Sequence, residues 1–265
     1  YLNAVIITLL MYKSPSDLHM ILIDPKQVEL NHFKDFPHVT FIDDMDSSAE
    51  IFASLVNEME KRYGLMANQG CKNIIQYNHK TKSKLPYIVC VVDELSDLMD
   101  THGDDIENYI IRMGQKARAA GIHMILCTQK PSADVVTTRI KSNLPSAISF
   151  RLKAQSDYRT VFGKGIPYHL LGKGDGVCMI EGNVKEFVRF QSPVISLDMD
   201  EEQDAYEKAR GLYEGVESEF NLDVAEPEEP IDKLKRIIAD TGHTKVTELQ
   251  KHMQMRINVV SDLMK

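Results

Sequence analysis

LPYIVCVVDELSDLMD, residues 85–100, decides the fold: an apolar run rich in β-branched residues stops abruptly at two adjacent carboxylates. Residues 87–92 are apolar at every successive position. That pattern fits a strand buried on both faces, the condition of a strand inside a parallel sheet flanked by helices. In such sheets ligands gather beyond the carboxyl ends of the strands. Asp93 would emerge there, placed to hold Mg²⁺ against nucleotide phosphates. Glu94 follows, placed to orient or deprotonate an attacking water. Acidic residues also suit the positive N-terminus of a helix, so the same pair could simply open one. The pair alone leaves both readings standing.

Two further runs repeat the design. HMILI (19–23) ends in Asp24-Pro25-Lys26, and IHMILC (122–127) ends in Thr128-Gln129-Lys130-Pro131-Ser132. Three successive strands thus deliver polar groups to what should be one edge of a sheet, which argues for a site there. Residues 47–67 and 104–120 have apolar side chains at helical spacing, and Gly121 suits a left-handed helix end. Residues 1–12 form an apolar, uncapped helix stopped by Lys13-Ser14-Pro15, whereas 68–84 reads as a polar loop. Residues 147–153 form another strand. Residues 177–181 and 184–190 are expected to pair across a two-residue turn, Gly182-Asn183. Gly172, Gly174 and Gly176 precede no helix, so they fit a tight loop better than a phosphate cradle.

With 265 residues, the chain has room for one large α/β domain and a small one. Cys71, Cys90, Cys127 and Cys178 form no CxxC pair and read as reduced thiols of a cytoplasmic protein. No apolar run approaches the ~18 residues of a membrane span, and no secretory leader pattern is present. The net charge of −8 is local. Residues 198–230 hold thirteen acids against two basic residues, whereas 231–265 hold seven basic residues against four acids. The overall charge therefore says little about nucleic-acid binding. Three divisions follow: 1–197; a helix over 200–213 and an acidic linker within 198–230; and 231–265. The last has helical patterns at 231–239, 246–253 (with Thr244 as cap) and 256–265. These suit a helix-turn-helix or winged-helix module, or equally a small protein-docking bundle.

The ordered phrases IDPKQVEL (23–30), PH (37–38), NEMEKRY (57–63), LPYIVCVVDELSDLM (85–99), QKARAAGIH (115–123), TQKPS (128–132), IKSN (140–143), SDYRT (156–160) and LLGKGD (170–175) resemble the motor part of the FtsK/SpoIIIE family of DNA translocases. The resemblance runs over residues 1–193. It implies an α/β fold with a RecA-like P-loop NTPase core, a mostly parallel sheet and a small winged-helix module that reads DNA sequence. It also implies ATP-driven movement of double-stranded DNA through a hexameric ring, in chromosome segregation and cell division. The implied cofactors are ATP and Mg²⁺, and the partners are double-stranded DNA and further copies of the chain. Membrane contact would come only through a region ahead of these residues.

Mapped by motif, Asp93 is similar to the Walker B metal ligand, Glu94 to the water-activating base and Gln129 to the γ-phosphate sensor. Arg118 matches an arginine finger offered to the adjacent subunit, with Arg159 as second choice; a lone Arg would otherwise fit a surface salt bridge. Arg139 and Lys141 are candidates for pore-facing phosphate contacts, or members of a solvated loop. Lys251 is a candidate for phosphate, and Arg256 and Asn258 for base edges. Lys26 is a candidate for coupling the site to a neighbouring subunit, a role for which the sequence offers no physical account. His38 and His123 fit hydrogen-bonded structural histidines, since no second ligand lies at metal spacing. GKGIP (163–167) replaces a phrase in which Asp and Gly-Gly-Ala are common, and the final helix lacks the usual basic pair. The GKGIP segment and a short polar loop before Leu85 fit a divergent member, such as one from a phage or mobile element. The runner-up is a coupling or secretion ATPase of the same class. A non-catalytic scaffold remains if the phosphate loop is truly absent.

That loop, GxxxxGK[ST], occurs nowhere in the 265 residues. In the family it ends just before the helix that begins here with Tyr1-Leu2-Asn3-Ala4, so the expectation is a chain cut after its phosphate loop. Residues 1–265 by themselves should bind ATP weakly or not at all in a calorimetric titration, and tight binding would contradict this.

Overall fold

Strands that are apolar on both faces need cover on both sides, and the chain supplies it by alternating them with helices. The structure is a computed structural model describing residues 1–218, 220–222, 234–235, 238, 242, 244–253 and 257–264. Strands β1 (Leu18–Ile23), β2 (Val39–Ile42), β3 (Tyr87–Val92) and β4 (Ile122–Leu126) form a wholly parallel sheet in the order β2-β1-β3-β4. Ile23 pairs with Val92, and Val92 with Leu126, so three strands end level. Alternate side chains feed two cores. Ile21, Ile23, Cys90 and Val92 pack with helices α2 (Met45–Asn68) and α4 (Leu95–Lys116). Met20, Leu22, Val89 and Val91 join α1 (Leu2–Tyr12) and, through Tyr206 and Ala209, α7 (Met199–Gly211).

The parallel sheet agrees with the sequence reading; several local expectations need correction. The helix expected from 104 begins at Leu95, because Glu94 caps it and a non-helical residue, His102 (φ −130°, ψ 31°), interrupts the apolar period. The polar loop at 68–84 contains helix α3 (Ile74–Lys80), whose cap is Asn73 accepting from the Gln76 N–H. Buried Ile74 and Tyr77 anchor it, but seven residues are too few to show a period. The strand expected at 147–153 is only β5 (Ala147–Ser149). It ends as the Leu152 N–H turns to the hydroxyl of Tyr158 on α6 (Gln155–Phe162).

The hairpin also differs. Strands β6 (Asp175–Met179) and β7 (Val188–Gln191) pair Cys178 with Val188, so residues 180–187 intervene rather than two. Arg189 fixes this register by donating to both carboxylate oxygens of Asp175, at 2.8 and 2.7 Å. Gly176 permits the close approach, since a Cβ there would lie 2.8 Å from Phe190 Cζ. β5, β6 and β7 make an antiparallel sheet whose core includes Tyr158 and Phe162.

Residues Tyr1–Asp223 form one compact unit and Val224–Lys265 another. In the second, α8 (Val246–Met253) and α9 (Ile257–Leu263) contribute Leu249 and Val260 to a small core with Leu234. Most of the helix expected at 231–239 lies outside the described residues, as do Arg256 and the side chains of Lys251 and Asn258. Among the described residues no helix is long and apolar enough to cross a membrane. All four cysteines are free.

Gly121 ends the turn before β4 with φ 75°, and a Cβ there would lie 2.4 Å from Ile74 Cδ1. Gly121→Ala should therefore lower stability by ~2 kcal/mol, from backbone strain plus overpacking. An unchanged denaturation midpoint would contradict this.

Candidate active site

The level strand ends determine what gathers at the carboxyl edge. The ladder continues one residue further, with the Asp93 N–H donating to the Ile23 carbonyl (3.0 Å) and the Cys127 N–H to the Val92 carbonyl (2.9 Å). Because Ile23 and Val92 face α2 and α4, strand alternation turns Asp24, Asp93 and Cys127 to the α1 side. Tyr1, just ahead of α1, lies within electrostatic reach of Cys127. The positive end of α1 therefore points at the same edge.

Asp24 is fully buried. Its Oδ2 accepts the backbone N–H groups of Glu29 and Leu30, each at 3.0 Å, while Oδ1 has no partner. These bonds fold residues 24–30 into a tight return, with Gln27 at φ 55°. Lys26 leaves this loop and pairs with Asp97 in the first turn of α4, Nζ to Oδ2 2.7 Å. That bond raises the ammonium's pKa.

Asp93 is half-buried, and its pKa is pushed up to about 6 by burial and then by the charges of Asp24, Glu29 and Glu94, with Lys26 opposing. An excess of carboxylate charge at one edge is a condition that a cation relieves. Glu94, only 5% exposed, is the more constrained of the pair. Its Oε1 accepts the Ser96 N–H (3.1 Å), the Ser96 hydroxyl (2.7 Å) and the Thr128 hydroxyl (2.5 Å). Its Oε2 accepts the Gln129 N–H (2.9 Å). Burial raises the Glu94 pKa, but bonds from Thr128, Gln129 and Ser96 outweigh it and hold the carboxylate below its usual range. The helix-opening reading holds for Glu94, which caps α4, while Asp93 takes no part in that cap.

Asp93, Glu94 and Gln129 share this edge; the predicted arginines do not join them. Arg118 is exposed in the 3₁₀ turn Ala117–Ala120 ahead of β4, at the opposite edge and about 16 Å away along that strand. Arg159 is exposed on α6. Arg139, on α5 (Thr138–Asn143), pairs with Glu107 and donates to Asn108 Oδ1 at 3.1 Å. Lys141 Nζ donates to the Thr160 carbonyl (2.7 Å). Buried His38 packs against Tyr213, and His123 stacks on Tyr87. Among the described residues no group of three or more His, Cys, Asp and Glu is arranged to hold a metal. Mg²⁺ is commonly held by one or two carboxylates plus substrate phosphates, so Asp93 still suits it.

The sequence reading placed Asp24 and Thr128 at the strand ends without foreseeing their bonds, and it missed the parts played by Ser96 and Asp97. The strand-end rule points to Asp24 and Thr128. Ser96 and Asp97 carry no such signal once the helix is started too late.

The model described as FtsK/SpoIIIE family matches residues 1–133. The DNA translocase FtsK of Campylobacter jejuni is 36% identical over 275 residues, covering 97% of this chain and 29% of its own length. That of Clostridium tetani is 35% identical (99% and 37%), and that of Caldanaerobacter subterraneus 39% identical (96% and 37%). The chain thus spans about a third of these relatives' length. Among solved structures, the pCW3 conjugation coupling protein TcpA with ATPγS aligns at TM-score 0.67 and 26% identity, over 80% of this chain and 60% of that one. EssC (ATPases 2 and 3) from Geobacillus thermodenitrificans aligns at 0.70 and 18%, over 91% and 46%. The cytoplasmic domain of the type VII secretion ATPase EccC from Thermomonospora curvata aligns at 0.70 and 21%, over 86% and 28%. The fold is that of RecA-like P-loop ATPases.

Folding raises the Asp93 carboxyl, so the associated penalty is absent below the usual carboxylate range and complete above about pH 6. Asp93→Asn should therefore stabilise the chain by about 1 kcal/mol near pH 7.5, the ~3 kcal/mol of an unscreened shift being reduced by solvent at this half-buried site. Near pH 4 it should add nothing. Denaturant titrations at both pH values check this, and equal effects would refute it.

Proposed function

The chain belongs to the FtsK/SpoIIIE family, and from that premise we propose that it forms the hydrolytic edge of an ATPase driving double-stranded DNA through a ring of subunits. One observation carries this most: half-buried Asp93, crowded by carboxylates, stands beside a Glu94 locked to β4 at the carboxyl edge of a parallel sheet. Asp93 is the residue to hold Mg²⁺. When bound, the ion neutralises charge on the nucleotide's phosphates.

Glu94 orients or deprotonates the attacking water. In the present arrangement Thr128 and Ser96 occupy Oε1 and Gln129 occupies Oε2, so the carboxylate is ionised but engaged. Release of the Thr128 hydroxyl frees a lone pair for water. The Gln129 side chain, exposed at the same edge, senses the terminal phosphate. Arg118 projects from the opposite edge, which suits a cation offered to the next subunit's nucleotide; Arg159 is the alternative. The phosphate loop that the reaction needs is not among the 265 residues.

For DNA, Arg139 and Lys141 would have to exchange Glu107 and the Thr160 carbonyl for backbone phosphates. In the tail, Lys251, Arg256 and Asn258 are assigned to phosphate and base contacts within a winged-helix module. A ring of six, a cytoplasmic location and a membrane tether ahead of this segment complete the reading. DNA is favoured over protein as cargo because relatives at 35–39% identity are named DNA translocases. The secretion ATPases, at 18–21%, share only the fold.

Long duplex DNA should stimulate ATP hydrolysis by the full-length protein. Glu94→Gln should reduce the rate by about 10²-fold or more, the usual loss when a general base is removed. Hydrolysis indifferent to duplex DNA would refute the proposal.

A further inference from the structure

The amino edge of the parallel sheet holds a buried guanidinium that the hydrolytic chemistry does not use. Arg62, on α2, is fully buried. Its Nε donates to Glu58 (2.7 Å), and its Nη1 to the carbonyls of Pro86 (2.8 Å) and Ala120 (3.0 Å). The neighbouring Tyr63 hydroxyl donates to the Lys116 carbonyl at 2.8 Å. Lys116 and Ala120 bracket the short turn that carries Arg118, so two adjacent α2 side chains fasten both ends of that turn.

The segment after α7 covers this arrangement. Tyr213 donates to the Lys13 carbonyl (3.0 Å) beneath α1. Phe220 then lies against the His19 ring (centroids 4.9 Å apart) and the Arg62 guanidinium (5.8 Å). Leu222, 3% exposed, enters the α2-side core beside Ser54, Asn57, Glu58 and Lys61. The chain therefore passes from the core on one face of the sheet to the core on the other, sealing Arg62 on the way. Burial beneath an aromatic ring strengthens the guanidinium's bonds to the two carbonyls, because it excludes competing water.

We propose that Arg62 and Tyr63, sealed by Phe220, are positioning residues that fix the turn presenting Arg118 to the neighbouring subunit's nucleotide. The proposal rests on the ATPase reading above and on Arg118 as its trans-acting cation. It assigns a catalytic consequence to a segment on the side of the sheet away from Asp93 and Glu94. An arginine finger acts only when correctly placed: its removal costs about 10³-fold or more, and a shift of ~1 Å in catalytic geometry can cost about 10²-fold.

The test uses the full-length protein with duplex DNA. Phe220→Ala should lower kcat about tenfold, with KM for ATP within about twofold, while Phe220→Tyr keeps the activity. Tyr63→Phe removes only a hydroxyl and should lower kcat about threefold, which keeps the proposal testable should Phe220→Ala not fold. Mixed rings separate positioning from general damage. Glu94→Gln subunits have a defective site but an intact Arg118 turn, so mixing them with Phe220→Ala or Arg118→Ala subunits should restore hydrolysis above either parent. Wild-type kcat in both Phe220→Ala and Tyr63→Phe overturns the proposal. So does a Phe220→Ala loss that mixing leaves unrepaired while Arg118→Ala is repaired. If mixing fails to rescue Arg118→Ala, the trans-acting assignment falls; if the wild-type ring hydrolyses no ATP, the ATPase reading falls, and the proposal with it.

Discussion

Glu94 joins three elements at one point. Its carboxylate caps α4 through Ser96, reaches β4 through Thr128 and Gln129, and ends the strand that delivers Asp93. The bonds to Thr128 and Gln129 could not form if β3 and β4 ended at different levels, so the pairing of Val92 with Leu126 underlies that junction. The same level ends place Asp24 and Asp93 on one face. Their mutual repulsion, added to burial, keeps Asp93 at about 6. A stable core is thus made to carry a locally unfavourable charge. Perturbed carboxyls of this kind cluster at functional sites.

The two edges of the sheet divide the work. The carboxyl edge concentrates acidic groups and the end of α1, whereas the amino edge is organised around Arg62 and the aromatic ring above it. Breaking a buried ion pair of this kind typically costs about 3–5 kcal/mol, so Arg62 is in the first place a structural hub. Its bond to the Ala120 carbonyl is what extends its influence to Arg118. Between the edges lies β4, entered by the Arg118 turn and left by the Thr128-Gln129 pair. A displacement of that strand would reach both at once.

Most of the edge was legible in the sequence because buried parallel strands produce continuous apolar runs, and the residues that end them stand out. Asp93, Glu94 and Gln129 were placed at the edge that way, while the roles assigned to them came from the family resemblance. The start of α4 was only half legible: the pair's alternative reading as a helix opening pointed to it, but the irregular residue His102 breaks the period, so the pattern was begun at 104 and Ser96 and Asp97 were lost with it. Helix α3 was too short to show a pattern. The β6–β7 register was misjudged because the Gly182-Asn183 turn signal was local, whereas the Arg189–Asp175 pair that sets the register spans the strands. Arg62 illustrates a general limit. A charged residue in a helical pattern is normally assigned to the wet face, and only the tertiary arrangement shows it buried beneath Phe220.

Asp93 as the cation ligand is the claim on which the hydrolytic role depends. Electron paramagnetic resonance of Mn²⁺ bound together with ATP to the full-length protein tests it directly. The structure predicts tight Mn²⁺ binding by the wild type and by Glu94→Gln, and at least about tenfold weaker binding by Asp93→Asn. Equal Mn²⁺ affinity in Asp93→Asn and the wild type would contradict it.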